Sequence, residues 1–78
     1  MDTQIRELYE RMLHLYQLSF GFPYEGEEDV VVLALTIRND WKGNHSIPKH
    51  WRNRFHRIIL ELETTDYRIG ERFMAGCN

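Results

Sequence analysis

Seventy-eight residues with a net charge of −2, an apolar fraction of 42% and a charged fraction of 28% describe one ordinary globular domain, residues 1–78. These figures exclude whole-chain disorder, which needs low hydrophobicity and high net charge. So short a chain also leaves little room for a deep catalytic cleft beside its own core.

The single cysteine, Cys77, excludes an internal disulfide. An exposed thiol next to the C-terminus fits a reducing compartment, so the chain reads as cytoplasmic. No apolar run approaches the roughly 18 residues of a membrane span, so no membrane partner is expected. The opening MDTQIRELYERML carries acids where a secretory signal needs a basic start and an apolar run.

The first predicted element is a helix over about 3–20. Asp2 or Thr3 can cap it, and Glu7 and Arg11 make a favourable i,i+4 pair. Ile5, Leu8, Met12 and Leu15 form its apolar stripe, and Tyr9, Leu13, Tyr16 and Phe20 form a second row beside it. So wide a stripe calls for neighbours on more than one side, or for a homodimer face through Tyr9, Leu13, Tyr16 and Phe20. Gly21 ends the helix, and GFPYEG is a loop by its glycine and proline content.

The second element, about 28–42, reads as a helix. Glu27, Glu28 and Asp29 complement its N-terminus, Lys42 its last turn, and Gly43 serves as C-cap. Val30, Leu33 or Ala34, Ile37 and Trp41 then share a face. A strand over VVVLALTI is the alternative, but it needs edge partners that no other segment supplies.

The third element covers about 47–75, with Ser46 as N-cap and Pro48 in the first turn. Trp51, Phe55, Ile58, Leu62, Ile69 and Phe73 follow one face through it. The phase survives Thr64–Asp66, so one long helix and two helices broken near 64–66 both satisfy the pattern. Gly70 favours a break or a frayed end, since glycine costs roughly 1 kcal/mol in a helix interior. The expected architecture is all-α, a small three- to four-helix bundle.

Charge is unevenly placed. Residues 41–60 hold Lys42, Lys49, Arg52, Arg54 and Arg57 and no acid, while EGEED at 25–29 concentrates negative charge. Lys49, Arg52 and His56 make one row on the third helix, with Arg54 and Arg57 as a second row. Lys42 and His45 flank them from the preceding turn. The plainer account of this block is a solvated face whose charges pair with the acidic loop.

No catalytic or metal-binding constellation emerges. His45, His50 and His56 are spaced five and six apart, which turns successive ligands away from a single ion. Glu61 and Glu63 lie two apart on a helix and point in different directions. Cys77 with His14 or His50 offers no held nucleophile. No phosphate-binding glycine loop or other cofactor motif is present. The expectation is a protein that is not an enzyme and uses no cofactor.

The run W-K-G-N-H-S-I-P-K-H-W, residues 41–51, resembles the end of the helix-turn-helix in small phage repressors. There a tryptophan and basic residues close the recognition helix, and an Ile-Pro step opens the next one. The resemblance implies DNA binding, with the basic residues on phosphates. The segment before Trp41 departs from it, because VVVLALTIRND is too apolar to lie in a major groove.

The residues therefore point to a small regulatory protein, of accessory or inhibitor type, that docks onto another macromolecule. Its contact surface is a basic and aromatic helix face of Lys42, Lys49, Arg52, Arg54, His56 and Arg57. A protein with an acidic surface is the expected partner, and a DNA-binding regulator using the same face is the alternative.

Overall fold

Aspartates set three of the four helix starts. A computed structural model describes residues 2–77, and in it α1 spans Thr3–Phe20, α2 Val30–Trp41, α3 Lys49–Thr65 and α4 Tyr67–Gly76. Asp2 accepts from the Gln4 and Ile5 amides, Asp29 from Val31 and Val32, and Asp66 from Arg68. Each carboxylate satisfies amides that the first helical turn leaves without partners. Among the described residues there is no strand, so the fold is an all-α bundle and residues 30–37 are helical.

The third predicted element is two helices. Asp66 adopts an extended conformation (φ −149°, ψ 107°), closing α3 through its amide to Leu62 and opening α4 with its side chain. Gly70 does not mark this break. It lies buried within α4, where an added Cβ would sit 2.8 Å from the Glu63 Cγ of α3. The glycine lets the two helices approach closely.

Two expected caps are replaced. Ser46 does not cap α3; its hydroxyl and amide donate to Asn44 Oδ1 at 2.6 and 3.0 Å. Pro48 biases Ile47 away from helical geometry, so the helix starts only at Lys49, with Pro48 itself at the N-cap. Lys42 rather than Gly43 caps α2. Gly43 (φ +73°) follows as the third residue of a type II turn closed by the Asn44 amide on the Trp41 carbonyl, 3.0 Å.

Two contacts define the helix directions. Arg6 in the first turn of α1 meets Glu28, just before α2, at 2.8 Å. At the other end, Trp41 Nε1 donates to Ser19 Oγ at 2.7 Å. The helices α1 and α2 therefore run parallel, and residues 21–29 return along their length. Then α3 runs back against both, with Arg11 of α1 reaching Glu61 at 3.1 Å instead of its expected partner Glu7. Finally, α4 packs on α2 and α3.

One core joins all four helices. Met12, Leu15, Leu33, Ile37 and Ile58 are fully inaccessible, and Leu62, Trp41, Phe55 and Phe73 are buried around them. Cys77, expected to be exposed, is half-buried and packs against this core.

The proposed homodimer row is spent internally. Tyr9 and Tyr16 are 5% and 7% exposed, and Leu13 and Phe20 pack partly buried against the core. Tyr16 stacks on Phe20 with ring centroids 4.2 Å apart, and Tyr24 from the return loop meets it edge-on at 5.1 Å. The wide stripe exists because the loop covers it. Burial accordingly pushes the Tyr9 and Tyr24 hydroxyls above their usual range.

Candidate functional site

The basic block does not form one face. At 100° per residue, Arg54 and Arg57 lie about 200° and 140° around α3 from Arg52. Arg57 lines a shallow depression on the α1 side, with Gln4, Leu60 and Glu61. Arg52 and His56 point the other way, toward α2 and α4, and Lys49 is exposed at the start of α3. The two cationic rows, expected side by side, occupy different sides of the helix.

What α2, α3 and α4 build together is a groove of ≈ 390 Å³. Its apolar lining is Trp41, Phe55, Ile59 and Phe73; its polar lining is Arg38, Lys42, Arg52 and His56. No Asp or Glu contributes. The rings form a continuous chain: Trp51 to Trp41 at 6.5 Å, Trp41 to Phe55 at 5.4 Å, Phe55 to Phe73 at 6.4 Å. Helical spacing places Phe55 and Ile59 on one face of α3, and Arg38, Trp41 and Lys42 on one face of α2.

Arg52, Arg38 and His56 have different jobs. Arg52 is structural, since its guanidinium donates to the carbonyl of Trp41 at 3.3 Å and to that of Asn44. Those carbonyls end α2 and the turn after it; the Trp41 carbonyl also accepts from the Asn44 amide, so Arg52 is its second donor. Arg38 is half-buried, yet among the described residues its guanidinium has no hydrogen-bond or ion-pair partner. His56 is exposed on the opposite wall.

The acidic loop does not neutralise these groups. Glu28 pairs with Arg6 and Asp29 with Arg72 at 2.8 Å. Burial pushes the Asp29 carboxyl up, but the Arg72 hydrogen bond and the Val31 and Val32 amides outweigh it, leaving the group below the usual carboxylate range. Lys49, Arg54 and Arg57 form no ion pair among the described residues.

The sequence pointed to six of the groove's eight lining residues, Trp41, Phe55 and Phe73 as core and Lys42, Arg52 and His56 as basic positions, but not to Arg38 or Ile59. The signal was present: Arg38 lies i−3 and i−4 from Trp41 and Lys42. Restricting attention to the acid-free run 41–60 hid it. The three histidines of that run, His45, His50 and His56, are all exposed, and no three His, Cys, Asp or Glu side chains converge among the described residues.

The helix that the repressor resemblance would place in a major groove is α2. It buries Val30, Val31, Leu33, Ala34, Ile37 and Trp41. No helix among the described residues is long and apolar enough to cross a membrane. Comparison of the chain with protein families, with curated proteins and with solved structures finds no match.

Proposed function

We propose that this chain is a small, non-enzymatic binding protein that docks onto another protein through the groove between α2, α3 and α4. The observation that carries this reading is an open groove whose floor is the outer edges of the otherwise buried Trp41, Phe55, Ile59 and Phe73, beneath basic groups and with no carboxylate among them. Aromatic anchors with arginine at the rim are the chemistry that dominates protein interfaces. The reading assigns the chain an accessory or inhibitor role, in which the groove holds a partner.

Nucleic acid is the second reading, favoured by the exposed and unpaired Lys49, Arg54 and Arg57. A net charge of −2 supplies no global attraction for a polyanion, which ranks it lower.

Site-specific photo-crosslinking in the cells that express the chain tests the choice. A photo-reactive residue replacing His56 should capture a protein that the same residue replacing Glu10, on α1, does not. Nucleic acid alone in the crosslinked product, or no adduct specific to the His56 position, overturns the reading.

A further inference from the structure

The groove has the chemistry to select among protein partners. Its floor is apolar and aromatic, so burying a bulky side chain there removes apolar surface from water on both partners. Its two walls carry Arg38 from α2 and His56 from α3, with Lys42 and Arg52 at the same end. Arg52 is committed to the Trp41 and Asn44 carbonyls. Arg38 is not, and a half-buried arginine whose guanidinium has five donors and no partner among the described residues is a ready receptor for a carboxylate fork. A neutral apolar segment would shield Arg38 from water without pairing it, which costs free energy. An acidic segment pairs it instead.

We propose that the groove recognises an acidic amphipathic segment of the partner protein, which inserts one bulky apolar side chain over Phe55, Ile59 and Phe73 and places a carboxylate on Arg38. This rests on the protein-docking reading above and adds the ligand's chemistry to it. On a helical segment, residues four before and four after the anchor share its face, so carboxylates there straddle the groove from the Arg38 wall to the His56 wall. The remaining surface candidates lack this complementarity. Leu60, Tyr67 and Met74 are exposed on α3 and α4, but their neighbours include Glu61, Glu63 and Glu71, and nothing defines what would cover them.

The probe is a fluorescein-labelled, alanine-rich helical peptide of about 15 residues. It carries one central phenylalanine with glutamate four residues to either side, and binding to the intact chain is read by anisotropy. Changing both glutamates to glutamine, or the phenylalanine to alanine, should each weaken binding about tenfold or more. Arg38→Glu should abolish binding of the glutamate peptide and restore binding to the same peptide bearing lysines. Far-ultraviolet circular dichroism of R38E confirms that it folds, and H56E, at an exposed position, provides a second variant expected to weaken the glutamate peptide.

Equal affinity for the glutamate and glutamine peptides, no binding of the glutamate peptide, or no effect of either R38E or H56E overturns the proposal. So does a short DNA duplex that displaces the peptide and loses its own binding in R38E. A protein crosslinked at position 56 with no peptide binding would reject this ligand chemistry while leaving the docking reading in place. Failure of the crosslink would reject the docking reading itself.

Discussion

The Arg52 guanidinium donates to the Trp41 main-chain carbonyl across 3.3 Å, tying the first turn of α3 to the last turn of α2. The same group reaches the Asn44 carbonyl, so one cation closes both the end of α2 and the turn that follows. The most central member of the basic block is thus holding the fold rather than presenting its charge outward.

Arg52→Ala should therefore destabilise the chain by about 1–3 kcal/mol, because it removes the donor on the Asn44 carbonyl and one of the two on the Trp41 carbonyl. Arg54→Ala and Arg57→Ala, on exposed positions without ion pairs, should stay within about 0.5 kcal/mol of the parent. Urea midpoints of the three variants separate the roles. Equal midpoints would show that Arg52 is as dispensable to the fold as its neighbours.

Ser19→Ala tests the joint at the same end of the bundle. The Trp41 indole N–H donates to Ser19 Oγ at 2.7 Å, and alanine leaves that donor unpaired beside the core. A loss of about 1–3 kcal/mol is expected in urea unfolding. The Trp41 emission maximum should shift as well, since water gains access to the ring.

The crossing of α3 and α4 predicts a reversal of the usual helix rule. Glycine to alanine normally stabilises a helix by roughly 1 kcal/mol. At Gly70 the added Cβ would stand 2.8 Å from Glu63 Cγ and 3.3 Å from its Cβ, so α3 and α4 must separate or Glu63 must reorient. Gly70→Ala should therefore be destabilising by about 1 kcal/mol in thermal unfolding. Adding Glu63→Ala removes the nearer atom and should recover part of that loss. Additive effects of the two changes would mean that they do not meet.

Asp29 sets the behaviour in acid. Its carboxyl, held below the ordinary range by Arg72 and the α2 amides, binds its proton less readily in the folded chain than in the unfolded one. The stability it contributes is present above the ordinary carboxylate value of about 4 and is lost as pH falls through its folded value. Asp66, lowered by its bonds to Arg68, acts in the same direction. Unfolding midpoints should fall below about pH 4, and less steeply in Asp29→Asn, which keeps a cap acceptor but gives up the ion pair. An unchanged acid profile in that variant would remove Asp29 from the account.

Helix identity was legible because each signal is local. Asp2 caps α1, Asp29 stands among the acids that mark the start of α2, Gly21 (φ +82°) supplies the left-handed turn that ends α1, and the 3.6-residue stripes face inward as read. The Asp66 cap that separates α3 from α4 was not singled out, because one long helix fitted the same stripe. Cap choice was harder, because Ser46 and Pro48 compete and the restriction proline places on Ile47 wins. The sequence left the Tyr9–Tyr16 row open between several neighbours and a dimer face, because its cover, Tyr24 with the rest of the return loop, follows from the parallel placement of α1 and α2, a relation between distant residues.

The candidate site divides the same way. Sequence by itself determined that positive charge and aromatic rings gather between Trp41 and Arg57, since both are properties of residue type and spacing. Tertiary structure decided which of those charges act together. Rotation about α3 sends Arg54 and Arg57 away from Arg52 and His56, while the packing of α2 and α4 brings in Arg38, Ile59 and Phe73 to complete the groove. A helix repeats its own faces locally, but a groove exists only where three helices meet, and no single segment encodes their meeting.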